Sequence, residues 1–226
     1  MILPKPQDAK HKTQILRLLR AILLDNLLAN QLYFKGGTYA SLQNTLDRFS
    51  IDLDFDLPDK TKKPIIQDKL YQIFKRLNLE IKDQSLNYLQ FFLKYSSPSN
   101  QRNTLKLEIN DNPSTKNTYQ KTYLPELSMY CNGHTPDTMF ANKLVAAAER
   151  FKRNGKIAGR DFYDLHQFFN QGLPINQAVV TNRTGQTLPE YLETLSKFIN
   201  QHLTQKLLTQ DLNPLLPPNK LNLVLP

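Results

Sequence analysis

Residues 51–57 read Ile-Asp-Leu-Asp-Phe-Asp-Leu, so that apolar and acidic residues alternate without exception. Side chains of a β-strand point alternately to its two faces, so this pattern predicts a strand with one apolar and one acidic face. Asp52, Asp54 and Asp56 would share the acidic face at steps of about 6.6 Å. Their charges repel one another, and a divalent cation that prefers oxygen ligands, such as Mg²⁺, would remove that repulsion. A solvated acidic face without a ligand is the alternative, which this strand alone leaves open.

A second alternating stretch supplies another carboxylate. Residues 105–110 read Leu-Lys-Leu-Glu-Ile-Asn, which predicts a strand with Glu108 on its polar face. If this strand pairs beside residues 51–57, Glu108 joins Asp52 and Asp54 over the same part of the sheet. Three such groups could hold two Mg²⁺ ions about 3.5–4 Å apart, an arrangement that grips a triphosphate and activates an attacking oxygen.

The chain has only seven glycines, and two of them are adjacent at Gly36-Gly37. They stand where a short strand, residues 31–34, passes into a helix that begins with Thr38. Without Cβ atoms the backbone N–H groups can approach a ligand closely, and the start of a helix adds partial positive charge suited to phosphate. The Thr38 hydroxyl would be a further donor. The motif therefore indicates a phosphate-binding turn, with a tight turn that binds nothing as the alternative.

The remaining pattern predicts an α+β protein in two parts. Residues 1–120 combine helical periodicity with strands, which indicates a mixed β-sheet with helices. Residues 121–226 read as helices followed by a proline-rich tail. The tail begins near Asn213, and its prolines predict an extended or mobile arm.

Composition excludes several classes of protein. The 226 residues carry 29 Lys+Arg against 20 Asp+Glu, a net charge of +9 that is compatible with a nucleic-acid partner but does not demand one. No apolar run approaches the ~18 residues of a membrane span, and the N-terminus lacks the layout of a secretory signal, so no membrane partner is expected. Cys131 is the only cysteine, so no intrachain disulfide can form, and we expect a cytoplasmic protein.

Two motifs in the first half resemble a known family. Residues 35–38 read Lys-Gly-Gly-Thr, residues 48–55 read Arg-Phe-Ser-Ile-Asp-Leu-Asp-Phe, and together they resemble the signature of DNA-polymerase-β-type nucleotidyltransferases. In this form they are similar to the AbiEii/AbiGii toxin family, which includes the MenT toxins. The resemblance implies a nucleotidyltransferase fold for the first lobe, with Mg²⁺ bound by Asp52 and Asp54. It assigns the nucleotide site to five further residues: Gly36, Gly37, Thr38, Arg48 and Ser50.

The second half carries two more motifs of this family. Lys143 lies in Phe-Ala-Asn-Lys-Leu at 140–144, and Arg-Asp-Phe-Tyr-Asp-Leu follows at 160–165. The resemblance implies that Lys143 neutralises charge on the triphosphate and that Asp164 orients this lysine or the acceptor. An ordinary exposed helix lysine is the alternative for Lys143. The roles of Asp56 and Asp161 stay open, since Asp161 could equally be a first-turn helix charge.

These implications predict a Mg²⁺-dependent nucleotidyltransferase that moves a nucleoside monophosphate from an NTP to an acceptor and releases pyrophosphate. Its catalytic residues would be Asp52, Asp54, Glu108, Lys143 and Asp164, and Glu108 would complete the metal site or act as a base. The family implies a tRNA 3′ end as acceptor. It also implies a toxin of a toxin–antitoxin or abortive-infection system directed against phage, restrained by a cognate antitoxin.

Two rival functions remain open at this point. One is the same chemistry on a protein side chain or a small molecule. The other is a catalytically inert nucleotide- or RNA-binding module that keeps the fold. The sequence does not predict the preferred NTP, the oligomeric state or the mode of action of an antitoxin.

Overall fold

The computed structural model describes the backbone of residues 1–224 and the side chains of residues 1–221. It divides the chain into two compact units. Unit 1 comprises Met1–Pro113 and Tyr119–Gly133, and unit 2 comprises Ser114–Thr118 and His134–Pro226. The predicted boundary at residue 120 therefore falls inside unit 1. No helix in the described part of the chain combines the length and the apolar character needed to cross a bilayer.

Unit 1 is a seven-stranded mixed sheet with four α-helices among its described residues, which confirms the predicted α+β class. Its helices are α1 Ala9–Leu24, α2 Asn26–Gln31, α3 Gly36–Leu42 and α4 Lys63–Arg76. Its strands are β1 Tyr33–Lys35, β2 Asp52–Asp56, β3 Glu80–Gln84, β4 Leu89–Lys94, β5 Thr104–Asn110, β6 Tyr119–Leu124 and β7 Met129–His134.

The alternating strand predicted from residues 51–57 is β2, near the middle of the sheet. The strand order is β3-β4-β5-β2-β1-β7-β6, and β2 pairs parallel with β5 and antiparallel with β1. The apolar face of β2 forms part of the core, because Leu53 and Phe55 are fully buried and the Phe55 ring stacks on Phe34 at 5.0 Å between centroids. Burial of each such side chain contributes about 1.5–3 kcal/mol. The opposite face of β2 is left to the aspartates.

The two edge strands, β3 and β6, lack a clear sequence signal. All five residues of β3 are exposed, and β6 reads Tyr-Gln-Lys-Thr-Tyr-Leu, with a single fully buried apolar residue at its end. Edge strands need no apolar alternation, since one side of each finds no partner strand. The strands β6 and β7 belong to unit 1, and this is why the predicted boundary after residue 120 differs from the division in the structure.

Unit 2 is helical in its described residues. Its helices are α5 Pro136–Asn154, α6 Gly159–Asn170, α7 Gln177–Thr184, α8 Leu188–His202, α9 Gln205–Leu212 and α10 Pro218–Val224. The periodicity that predicts a single helix over 188–208 is interrupted at Leu203, where the backbone is extended and the Thr204 side chain caps α9.

The prediction of an extended or mobile proline-rich tail is wrong for the described residues after Asn213. Leu215 and Leu216 are buried, and Leu216 packs with Leu212 of α9 against Tyr163 of α6. Pro218 is the first residue of α10, because proline is well tolerated in the first turn of a helix. Residues 225–226 lie outside the described residues.

Candidate active site

The predicted acids lie on one face of the sheet in unit 1. Asp54 of β2 is in register with Glu108 of β5 on one side and with Lys35 of β1 on the other. Residues directly opposite on paired strands point to the same face, and Asp52 shares this face at two residues' distance along β2. The register that the sequence analysis required for Glu108 is therefore present.

The pKa of Asp54 reflects its burial and its acidic neighbours. Burial, together with the negative charges of Asp52 and Glu108, raises the pKa of Asp54 to about 6, although Lys35 and Lys106 act in the opposite direction. An added positive charge next to Asp54 would relieve this repulsion. The face is thus arranged to receive a cation or another electropositive group.

Glu108 is held by neighbours that the sequence analysis did not assign to the site. The Lys106 ammonium donates to Glu108 Oε2, and Gln90 Nε2 donates to the same oxygen at 3.0 Å. Burial acts to raise the pKa of Glu108, but the hydrogen bond and charge of Lys106, with smaller contributions from Gln90 and Lys35, leave it below its ordinary value. Glu108 is thus an ionised, paired carboxylate. Its lysine partner was foreseeable, because residues two apart on a strand share a face.

Asp56 is separated from the other acids by its contacts. Its side chain is fully buried, forms an ion pair with Lys35 Nζ at 2.6 Å, and accepts a hydrogen bond from the Tyr119 hydroxyl at 3.1 Å. A buried carboxylate with these partners is satisfied within the protein. The structure therefore gives Asp56 a role in joining β2 to β1 and β6.

The two glycines lie directly against the acidic strand and the Arg48–Ser50 segment. Gly36 has φ +79°, and a Cβ there would stand 2.5 Å from Asp54 Oδ2. A Cβ on Gly37 would stand 2.8 Å from Arg48 Nη2 and 2.9 Å from Ser50 Oγ. Such distances are far shorter than van der Waals contact, so a Cβ at either position would displace the side chain of Asp54, Arg48 or Ser50. The structure brings five of the predicted site residues together at this turn.

Thr38 and Arg48 are buried among main-chain groups. The Thr38 hydroxyl donates to the Asp52 carbonyl and so fastens α3 to β2. Arg48 Nη1 donates to the Phe49 carbonyl at 2.9 Å, and Arg48 is only 3% exposed. The Thr38 hydrogen is thus used inside the protein, which differs from its predicted part as a phosphate donor. Arg48 Nη2 lies beside Gly37, 2.8 Å from the position that a Cβ would take there.

The donors present fit a hard divalent cation, although they form no complete cage. Among residues 1–221 no group of three or more His, Cys, Asp or Glu side chains is arranged to hold a metal ion. The strand register places Asp54 beside Glu108, and Asp52 lies two residues from Asp54 on the same strand face. Carboxylate oxygens are the ligands that Mg²⁺ prefers, and it commonly keeps several waters with only one or two of them.

Unit 2 contains a buried ion group around Lys143. Its Nζ lies 2.9 Å from Asp164 Oδ2 and 3.2 Å from Asp161 Oδ1, and Arg150 Nε lies 3.1 Å from Asp161 Oδ2. Both aspartates are almost completely buried. The contact predicted between Lys143 and Asp164 is present, and Asp161, whose role the sequence left open, is a second partner of the same lysine. Arg150 lies seven residues after Lys143 in α5, a spacing that places both on one helix face, so this second partner of Asp161 was foreseeable.

Electrostatics keep Asp161 ionised. Burial alone would raise the pKa of Asp161, but the charges of Lys143 and Arg150 outweigh burial and leave the pKa below its ordinary value. The group therefore balances two positive and two negative side chains. Such a network stabilises α5 against α6 and holds the Lys143 ammonium in one place, with 16% of its side chain exposed.

Comparison with protein families gives one match. A family model described as "Nucleotidyl transferase AbiEii toxin, Type IV TA system" matches residues 17–221, which is nearly the whole chain. A search of curated proteins gave no match.

Solved structures with the same fold include three from different organisms. JHP933 from Helicobacter pylori is 21% identical at a TM-score of 0.52, over 93% of this chain and 80% of that one. MenT4, a nucleotidyltransferase toxin from Mycobacterium tuberculosis, is 21% identical at 0.50, over 77% and 62%. An antigenic nucleotidyltransferase-like protein from Paracoccidioides brasiliensis is 17% identical at 0.53, over 94% and 97%. At these identities the likeness concerns the fold.

Proposed function

The chain belongs to the AbiEii family of nucleotidyl transferase toxins of type IV toxin–antitoxin systems, and on this premise we propose that it transfers a nucleoside monophosphate from an NTP to a tRNA 3′ end with the help of Mg²⁺. The observation that supports this most strongly is the contact between the Gly36-Gly37 turn and the Asp54 carboxylate. A phosphate-accommodating turn and a metal-accommodating carboxylate have to be adjacent in an enzyme that acts on a metal-bound triphosphate.

The reaction proposed is an in-line displacement at the α-phosphorus. The acceptor hydroxyl oxygen forms the new P–O bond, the bond from that phosphorus to the leaving pyrophosphate breaks, and the hydroxyl proton passes to solvent or to a nearby carboxylate. Mg²⁺ held by Asp52 and Asp54 would supply positive charge to the triphosphate oxygens. The protein's own contribution is mainly the positioning of these charged groups.

Within unit 1 the residues have separable parts. The absence of Cβ atoms at Gly36 and Gly37 lets the turn lie directly against Asp54, Arg48 and Ser50, so phosphates bound at the turn would lie beside a metal ion held by Asp54. Arg48, buried behind Gly37, adds a fixed positive charge, and the Ser50 hydroxyl lies beside it. Glu108 is ionised and is held by Lys106. It serves either to bind a further cation or to take the proton from the acceptor hydroxyl.

We extend the proposal to the ion group of unit 2. Two aspartates fix the Lys143 ammonium, and a fixed ammonium stabilises triphosphate charge better than a mobile one because no reorganisation is required during the reaction. Asp164 and Asp161 then act as positioning residues for Lys143. The tRNA acceptor, the use of Mg²⁺, the action against phage and the cytoplasmic location all come from the family resemblance and are part of this proposal. The family itself implies an antitoxin as partner.

Incubation of the purified chain with Mg²⁺, each α-labelled NTP and total tRNA tests the acceptor. We expect label in tRNA, concentrated at its 3′ end, and no label when the nucleotide carries its label only on the γ-phosphate. Label in protein would instead support the rival acceptor class. Nucleotide binding without transfer to any acceptor would support the inert module.

A further inference from the structure

The carboxylate-bearing face of the sheet continues as a row of tyrosines toward the β6 edge. The Tyr119 hydroxyl binds Asp56, and the Tyr119 ring packs on Tyr33 of β1 with 4.0 Å between centroids. Because side chains alternate along a strand, Lys121 and Tyr123 share this face with Tyr119. All of these residues belong to unit 1.

The alternation is confirmed from the other side of the strand. Thr122 lies between Lys121 and Tyr123 in the sequence, and its hydroxyl is 2.9 Å from the hydroxyl of Tyr39, a fully buried residue of α3. Thr122 thus faces the core. Its neighbours in the strand consequently face the same side of the sheet as the aspartates.

At the end of this row three side chains form what we call the tyrosine platform: Lys121, Tyr123 and Tyr130. The rings of Tyr123 and Tyr130 lie 5.2 Å apart between centroids, and Lys121 Nζ stands 4.9 Å from the centre of the Tyr130 ring. Tyr123 is 47% and Tyr130 is 59% exposed. Two adjacent exposed aromatic rings with a cation beside them form a surface that the fold itself does not cover.

We infer that the tyrosine platform binds unpaired nucleobases of a single-stranded nucleic-acid acceptor and so guides its end toward the carboxylates. The inference rests on the proposed function and names the class of acceptor. Proteins that bind single strands combine aromatic side chains, on which bases stack, with positive charge that follows the backbone. Tyr123 and Tyr130 supply the first, and Lys121 supplies the second.

The position of the platform favours a strand over a mononucleotide. Tyr119 contacts Asp56, and Tyr123 lies four residues farther along β6, about 13 Å at 3.3 Å per residue. Gly133 of β7 pairs parallel with Phe34 of β1, so Tyr130 lies three residues before this level and Gly36 two residues after it, about 16 Å apart along the strands. A chain of several nucleotides spans this separation along the face.

The sequence offers a direct probe of stacking, because the chain contains no tryptophan. A Tyr130→Trp variant carries one indole, placed at the platform, and its fluorescence reports a base that stacks on it. We expect strong quenching when a short single-stranded oligoribonucleotide is added without NTP or Mg²⁺. Addition of the same concentration of a mononucleotide should quench far less.

Anisotropy of a labelled oligoribonucleotide then measures affinity with matched variants. Tyr123→Ala with Tyr130→Ala should weaken binding about 10- to 100-fold, since loss of one stacked base costs about 1–3 kcal/mol. Tyr123→Phe with Tyr130→Phe keeps both rings and should bind like the unaltered chain. Tyr88→Ala, which removes a tyrosine that is 67% exposed at the turn before β4, should have no effect.

Several results would overturn the inference. One is that the unaltered chain binds no oligoribonucleotide at all. Another is that the alanine pair binds as tightly as the Tyr88→Ala control. A third is that a mononucleotide quenches the indole fluorescence as strongly as the oligoribonucleotide does. If a protein partner needs these tyrosines for binding and RNA does not, the surface belongs to that partner instead. None of these measurements depends on catalysis. A chain that binds RNA normally but transfers no nucleotide would therefore contradict the proposed function without contradicting the role of the tyrosine platform.

Discussion

At Gly36 the backbone adopts φ +79°, and the missing Cβ leaves space that Asp54 Oδ2 occupies. Two requirements therefore coincide at one residue: a left-handed backbone conformation and a close approach to a carboxylate. The first concerns stability, because an L-residue in this conformation costs about 1 kcal/mol or more. The second concerns the geometry of the site, because any Cβ has to displace Asp54.

Gly36→Ala separates these two requirements when it is compared with Gly155→Ala. Gly155 also has a positive φ, +67°, but a Cβ there would meet nothing within 4 Å. We expect both variants to lose about 1–3 kcal/mol of unfolding free energy in urea titrations. Only Gly36→Ala should also lose nucleotide transfer, by about 100-fold, since a displacement of about 1 Å in a positioned group can cost that much. Equal transfer rates for the two variants would show that Asp54 needs no fixed position.

The sequence predicted the two glycines and the aspartate pair because their residue types are restricted by geometry. It could not predict that Thr38 binds the Asp52 carbonyl, since a hydroxyl suits a ligand and a main-chain acceptor equally well. Gln90 of β4 was likewise missed as a partner of Glu108, because the choice of neighbouring strands has no local signal, whereas Lys106 lies two residues from Glu108 on the same strand.

At the scale of elements, His11 connects α1 to the segment that leads into β2. Its Nε2 donates to the Ile51 carbonyl at 2.9 Å, and its Nδ1 lies 2.6 Å from the Tyr95 hydroxyl, which is also 2.8 Å from the Arg102 carbonyl. Burial, only partly opposed by the hydrogen bond to Ile51, lowers the pKa of His11 to about 4. The neutral imidazole therefore helps to hold the acidic strand in place.

This pKa predicts a loss of stability in mild acid. The unfolded chain binds a proton at His11 below about pH 6.5, whereas the folded chain binds it only near pH 4. The contribution is complete above pH 6.5 and is lost as the pH falls from 6.5 to 4, by about 2 kcal/mol at pH 5.

Urea titrations at several pH values test this, with His11→Gln as reference. The raised pKa of Asp54 acts with the opposite sign below about pH 6, so the difference between the two chains is the informative quantity. We expect this difference to shrink by about 2 kcal/mol between pH 7 and pH 5. A constant difference would mean that His11 is not buried in its neutral form.

Strands with one buried face could be predicted from the sequence, whereas exposed strands could not. Strands β2 and β5 alternate because one face of each is buried, and the sequence predicts both. The edge strands β3 and β6 are too exposed to alternate. The break between α1 and α2 has no hydrophobic signal in the sequence, because it depends on Asp25, whose side chain accepts from the Leu27 and Leu28 amides within an otherwise continuous helical pattern.

At the scale of the whole molecule, the proposal assigns parts to residues of unit 1 and to Lys143 of unit 2. Lys143 in unit 2 is held by two buried aspartates, so its removal has a structural as well as a catalytic consequence. A buried carboxylate that loses its cation is strongly destabilising. The two consequences have to be measured separately.

Lys143→Gln should lower the unfolding free energy by about 2–4 kcal/mol, because Asp164 then loses a charge partner in a buried position. The control is Lys152→Gln on the same helix, an exposed lysine whose replacement should change stability by about 0.5 kcal/mol or less. Transfer by Lys143→Gln, measured per folded molecule, should also fall well below that of Lys152→Gln. Equal transfer per folded molecule would leave Lys143 with a structural role alone.

The most direct test of the account is nucleotide transfer by Asp54→Asn, followed with an α-labelled NTP across a Mg²⁺ titration. The control is Asp83→Asn, which removes one negative charge from the exposed strand β3. We predict that Asp83→Asn matches the unaltered chain at every Mg²⁺ concentration, whereas Asp54→Asn transfers no nucleotide although it remains folded. Unchanged transfer by folded Asp54→Asn would contradict the assignment of the acidic face of β2 as the catalytic centre.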